Sequence, residues 1–145
     1  MTDGDQQLQS ALTHAISLDD QGLPVSFHFF NGETVVKLLE PIKYVLDMGD
    51  GLVIEDEVPA GFVSDGCSLP RFFWRLVGHP FDMRYLREAI WHDWMYWEQK
   101  CSRLMGDAVF NEALLRRNAV SEIKIEAITI TLRRFGWYAW WQNGR

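Results

Sequence analysis

The stretch AIWHDWMYWEQK, residues 89–100, sets His92 and Asp93 side by side among aromatic rings. An imidazole beside a carboxylate is the raw material of general acid–base catalysis and of metal ligation. On a helix turning about 100° per residue, Leu86, Ile90, Trp94 and Trp97 form an apolar stripe, and Asp93 falls inside it. His92 lies roughly 100° around the helix, flanked by Ala89, Tyr85 and Tyr96, with Glu88 one turn back. Asp93 is therefore the expected inward member, and a lone inward carboxylate needs a hydrogen-bonded partner or a cation.

Two other segments offer partners. VSDGCSLP brings Asp65 and Ser68 to a turn that Gly66 allows to be tight, and GDAVF brings Asp107, on one helix face with Phe110 and Leu114. Asp65, His92, Asp93 and Asp107 together would suit a divalent cation such as Zn, Mn or Mg. His92 and Asp93 would then be the acid/base groups, and Ser68 would orient a ligand or fix the turn. The competing reading is a purely structural network, in which Asp65 caps a turn, Asp93 holds backbone N–H groups or pairs with Arg71 or Arg75, and Asp107 caps or forms a salt bridge. A third reading uses Tyr85, Tyr96 and Trp97 as the lining of an aromatic cleft for a small molecule or peptide. Cys67, beside Ser68 at a helix start, lacks a required spacing to His92, and His79 falls in a loop-like VGHPF. No GxSxG, P-loop, GxGxxG or HExxH pattern occurs.

The elements that must position these groups read as strands first and helices afterwards. Residues 1–22 are polar, with Leu8, Leu12 and Ile16 at four-residue spacing, which fits a short helix or a mobile arm. From Pro24 to Asp65 the segments VSFHFF, TVVKLLEPIKYVLD and LVIEDEV are β-prone, with turns at NGE and MGDG and an edge or bend at Pro41. Val36, Leu38 and Val45 alternate imperfectly with Lys37 and Tyr44, which suggests a twisted or two-sided sheet. Beyond Asp65, Ser68 is placed to cap a short helix with Pro70 in its first turn. Asp82 is the expected cap of MRYLREAIWHDWMYWEQK and Ser102 that of RLMGDAVFNEALLRRN, where Leu104, Ala108 and Leu115 share a stripe. In SEIKIEAITITLRRFGWYAWWQNGR the early isoleucines alternate like a strand, but the length and Ser121 favour a helix. Its Trp137, Tyr138, Trp140 and Trp141 are expected to complete a core or an oligomer contact. The blocks imply one α+β domain over residues 23–145, an N-terminal antiparallel β-sheet packed against three to four C-terminal helices.

Composition agrees with a single packed domain. The 145 residues are 48% hydrophobic and 14% aromatic, with seven Trp, so apolar surface is plentiful. The net charge of −6 disfavours non-specific nucleic-acid binding, and Arg71, Arg75, Arg84 and Arg87 read as solvated helix charges. Two cysteines, Cys67 and Cys101, with no CxxC spacing suit a reducing compartment. The N-terminal stretch lacks signal-peptide order, and no apolar run approaches a membrane span.

Three motifs in order, VPAGFVSDGCSLPRFFWRL, YLREAIWHDWMY and GDAVFNEALLRRNAV, resemble the domain-of-unknown-function family 1353 over roughly residues 56–136. The pattern is a Thr/Ser–Asp–x–x–Ser–hydrophobic–Pro turn, an Ala–x–x–His–Asp–x–hydrophobic–Tyr helix, and an Asp followed by Phe. Ser64 stands where Thr is more usual. The resemblance implies that the recurrent polar positions fall on Asp65, Ser68, His92, Asp93 and Asp107. It also implies a small protein of tailed bacteriophages, prophages and bacteria, found in the host cytoplasm or with the virion. The leading expectation is a metal-dependent hydrolase of phage origin acting on a cell-wall peptide or a phosphoester. The alternative is a non-enzymatic tail, assembly or host-interaction protein, with phage structural or host proteins as partners.

Overall fold

A computed structural model describes residues 23–30, 33–64 and 84–143. Among these residues five strands precede three helices: β1 Val25–Phe30, β2 Glu33–Leu38, β3 Ile42–Gly49, β4 Leu52–Val58, β5 Val63–Ser64, α1 Leu86–Glu98, α2 Arg103–Arg117 and α3 Glu122–Asn143. The fold is α+β, with antiparallel strands ahead of the helices. The expected arm over 1–22, the turn and cap residues Asp65, Gly66, Ser68 and Pro70, and Cys67, Arg71, Arg75, His79 and Asp82 lie outside the described residues.

The strands form two small sheets rather than one. β1 and β2 pair from Val25↔Leu38 to Phe30↔Glu33, and β5 adds to β2 through Val36↔Ser64. β3 and β4 make a separate hairpin from Ile42↔Val58 to Gly49↔Leu52. Its two-residue loop is Asp50-Gly51, with φ of 53° and 80°. Positive φ at both positions is what an Asp-Gly hairpin turn supplies, so the MGDG turn forms as expected. The imperfect alternation also resolves. Ile42, Tyr44 and Leu46 point inward while Lys43 and Val45 face out, so Tyr44 takes the core position that Val45 was expected to hold. Tyr44 can do so because its hydroxyl donates to the Arg87 carbonyl at 2.7 Å.

The helices separate two apolar clusters. One joins Val36, Leu38, Ile42, Leu46 and Val58 of the strands to Leu86, Ile90, Trp91, Met95 and Val109. The other joins Tyr85 and Ala89 to Phe110, Leu114, Ile125, Ile128 and Leu132. Since α1 is covered on two sides, its buried set is wider than a single stripe. It includes Ala89, His92, Met95 and Tyr96. Trp97, expected in the stripe, is 60% exposed, because burial on that face stops before the last turn.

In α2 the Ser102 hydroxyl accepts from the Met105 N–H at 3.1 Å, the expected cap. The buried face is Gly106, Asp107, Val109, Phe110, Ala113 and Leu114, and the expected stripe of Leu104, Ala108 and Leu115 is the solvent side. The last segment is helical over Glu122–Asn143, and Ser121 accepts from the Lys124 N–H at 3.3 Å. Ile125 and Ile128 point inward, whereas Ile123 and Ile130 point outward, which produced the strand-like alternation. Of the C-terminal aromatics, Trp140 packs edge-on against Tyr96 with ring centroids 5.1 Å apart; Trp137, Tyr138 and Trp141 are exposed and do not complete the core.

Candidate functional site

His92 and Tyr96 stand one turn apart on α1, so their side chains lie over each other, ring centroids 4.3 Å apart. Arg103 and Asp107 stand one turn apart on α2. The short connection between Glu98 and Arg103 folds α2 back onto α1 and brings the two pairs together. Asp107 Oδ1 accepts from His92 Nε2 at 2.7 Å and from the Tyr96 hydroxyl at 2.7 Å. Asp107 Oδ2 faces Arg103 Nη1 at 3.4 Å, and the same Nη1 donates to the Leu132 carbonyl of α3 at 3.1 Å. An ionised carboxylate only accepts, so the His92 proton toward Asp107 sits on Nε2. Phe110 closes the other side of the imidazole at 4.6 Å.

The site is buried and charge-compensated. His92 and Asp107 are 7% and 6% exposed. The Arg103 guanidinium meets the carboxylate charge, the salt bridge that the structural reading of Asp107 expected without naming its partner. Burial, reinforced by the hydrogen bond to Asp107, pushes the Tyr96 phenol above its ordinary value, so it remains a donor through the physiological range. On α3, Gly136 permits the close approach: a Cβ there would meet the Tyr96 hydroxyl and Arg103 Nη1.

Of the expected site residues, the structure brings His92 and Asp107 into contact, with the Tyr96 hydroxyl donating to the same Asp107 oxygen. Asp93 is half-buried and points about 100° away from His92 around α1, so the inward member of the pair is His92 and not Asp93. Tyr85 is wholly buried in the helical core and Trp97 is at the surface; with Tyr96 buried too, the three do not line one open cleft. Asp65 and Ser68 lie outside the described residues. Among the described residues, no three His, Cys, Asp or Glu side chains gather as a metal-ligand set. Arg103 and Gly136 are the members the sequence reading missed; the four-residue Arg103–Asp107 spacing was the available signal for the first.

Other polar ties connect the layers. Trp91 Nε1 donates to Asp56 Oδ2 at 3.0 Å, while its ring stacks on Tyr44 at 4.7 Å. Arg117 pairs with Glu88 at 3.1 Å, joining α2 to α1. A groove of about 620 Å³ lies beside these groups, lined among others by Lys43, Tyr44, Arg87, Trp91 and Arg116. A second, of about 180 Å³, touches Asp56, Met95 and Cys101, whose thiol is pushed up by burial. Neither groove is lined by His92 or Asp107. No helix among the described residues is long and apolar enough to cross a membrane.

A family model described as "Protein of unknown function (DUF1353)" matches residues 36–128, a span that carries His92, Asp93, Arg103 and Asp107. The chain belongs to this family. It is also similar to "Uncharacterized protein y4jT" of Sinorhizobium fredii (strain NBRC 101917 / NGR234), at 34% identity over 80 residues. That alignment covers 54% of this chain and 23% of the relative, so the matched stretch makes up under a quarter of the longer protein. No solved structure matches the chain significantly.

Proposed function

We propose that this member of the DUF1353 family is a non-enzymatic component of a bacteriophage or prophage, serving in tail assembly or host contact, and that its Asp/His cluster holds the fold together. The observation that carries the reading is how closely Asp107 is engaged by its own neighbours. Its oxygens meet three donors, two at 2.7 Å and one at 3.4 Å, in a buried site spanning α1, α2 and α3. A metal ligand or catalytic base keeps a lone pair directed at the cation or substrate. This carboxylate is instead engaged by its neighbours, and Arg103 offsets its charge. The phage assignment rests on the motif resemblance, and the much longer relative suits a domain used as a module within larger assemblies. Its expected place is the bacterial host cytoplasm or the virion.

The test is thermal melting of His92→Ala and Asp107→Ala, with Mn²⁺, Zn²⁺ and Mg²⁺ titrated into the unaltered protein. Both variants should melt well below it, with Asp107→Ala losing about 3–5 kcal/mol because two buried donors and a partly buried cation lose their acceptor. None of the three metals should raise the melting temperature. A metal-dependent rise that disappears in Asp107→Ala would sink the structural reading.

One observation favours the second reading, a metal-dependent hydrolase. Asp107 engages Nε2 of His92, and no bond to Nδ1 is present among the described residues. Nδ1 is thus the nitrogen that would act as base or ligand, with Asp93 adjacent and Asp65 and Ser68 supplied by another segment. A bound Zn, Mn or Mg ion would lower the pKa of its water for attack on a cell-wall peptide or a phosphoester. Under this reading the His92→Ala protein keeps its melting temperature and loses metal binding.

A further inference from the structure

α3 has two apolar faces, and the packing of the described helices buries one of them. Ile125, Ile128, Thr131, Leu132 and Gly136 are buried against the rest of the domain. On the other side Ile123, Ala127, Ile130, Arg134, Trp137 and Trp141 follow one another at alternating steps of four and three, with Ala127 half-buried at the edge of the helical cluster. This is the spacing of the a and d positions of a coiled coil. Ile123 is 82% exposed, Ile130 54%, Trp137 57% and Trp141 51%. Tyr138 adds to the stripe, with its ring 5.9 Å from that of Trp137 and 6.3 Å from that of Trp141. The 22-residue helix is about 33 Å long, and the seam from Ile123 to Trp141 covers about 27 Å of it. Exposed large apolar side chains aligned over that length, interrupted only by Arg134 and the half-buried Ala127, mark an interaction surface rather than scattered surface hydrophobes.

Charge along the helix selects the occupant. The N-terminal half carries Glu122 and Glu126 against one cation, Lys124, and is net acidic, whereas the C-terminal half carries Arg133 and Arg134 and no acid. A membrane surface favours a polar face rich in Lys and Arg throughout, which this acidic first half does not supply. A second α3 running in the opposite direction lays each half against its complement. With the two-fold axis at position 132, Ile123 meets Trp141 of the second copy, Ala127 meets Trp137, and Ile130 meets Arg134. The smallest seam residue then lies under a large ring. The Arg134 stem covers Ile130 while its guanidinium lies within one turn of Glu126 of the second copy. Parallel pairing instead places Arg134 on Arg134, and Trp on Trp, at the same levels. We infer that the domain forms a two-fold dimer through antiparallel pairing of α3 with α3 of a second copy. The inference is independent of whether the His92–Asp107 pair is structural or catalytic.

Light scattering of the full chain across the micromolar range tests it. The expected mass is twice that of the 16.9 kDa chain. The variant carrying Ile130→Glu and Trp137→Glu should be monomeric, its dissociation constant weakened more than about 100-fold, with helical circular dichroism and melting retained. Orientation follows from disulfide trapping in a Cys67→Ser, Cys101→Ser background. Chains bearing Ile123→Cys and chains bearing Trp141→Cys, mixed and oxidised, should form the mixed dimer in preference to either like pair. A monomeric full chain overturns the inference, whichever segment then covers the seam. So does a dimer indifferent to the double substitution, or efficient like-pair trapping by Ile123→Cys.

Discussion

Gly136 of α3 and Tyr96 of α1 approach so closely that a Cβ at position 136 would lie 2.6 Å from the phenol oxygen and 3.3 Å from Arg103 Nη1. The missing side chain lets the α3 backbone come near enough for Arg103 to reach the Leu132 carbonyl. Replacing a helical glycine with alanine ordinarily gains about 1 kcal/mol. Here the methyl group meets a phenol already tied to Asp107, so Gly136→Ala should lose about 1–3 kcal/mol net. Adding Tyr96→Phe should recover part of that loss by removing the clashing oxygen. Urea unfolding of the two variants measures both, and a stabilised Gly136→Ala protein would show that the contact yields without strain.

The His92–Asp107 bond invites a double-mutant cycle. Hydrogen bonds to charged groups contribute about 1.5–3 kcal/mol, and this one is 2.7 Å long inside the helical layer. His92→Ala, Asp107→Ala and the double variant should give a coupling in that range. Coupling near zero would mean that Tyr96 and Arg103 satisfy Asp107 without the imidazole.

How far the sequence foretold this site depends on which force set each residue. Asp107 was legible because Phe110 and Leu114 share its face and a single helix wheel captures that arc. The caps at Ser102 and Ser121 and the Asp50-Gly51 turn were legible because short-range backbone chemistry decides them. The choice between His92 and Asp93 was not, since a wheel gives relative angles but not which neighbours cover the helix. With α1 packed on two sides, the His92 side became interior and the last-turn Trp97 did not. Arg103 escaped notice because a long arginine stem can carry its charge inward from an ordinary-looking surface position. Gly136 escaped because its role depends on a contact between helices far apart in sequence. Asp65 and Ser68 lie outside the described residues, so their share in the site rests on the motif alone.

The Trp91–Asp56 bond fastens the β3–β4 hairpin to α1, and it too has a measurable worth. Asp56→Ala would leave a buried indole N–H without its acceptor at 3.0 Å, at a cost of about 1–3 kcal/mol. Asp56→Asn keeps a carbonyl oxygen in the same place and should retain most of the stability. If both variants melt alike, Trp91 is held by its stacking on Tyr44 and not by the hydrogen bond.

Alkaline titration separates the buried tyrosines from the rest of the fold. Burial pushes Tyr44 and Tyr96 above the ordinary value of 10.0, outweighing Arg87 at Tyr44 and Arg103 at Tyr96. A raised folded-state pKa means that, above the unfolded value, the native protein holds protons the unfolded chain releases. Their contribution is therefore complete below pH 10.0 and falls as the pH climbs above it toward the folded values. Denaturant unfolding at a series of pH values should show a decline beginning near that point, with phenolate absorbance from these two residues appearing together with loss of helical signal. Tyr96→Phe should be less stable at neutral pH and should lose stability less steeply on the alkaline side. Equal alkaline slopes in the two proteins would mean that Tyr96 ionises within the folded state, and that its bond to Asp107 opens without unfolding.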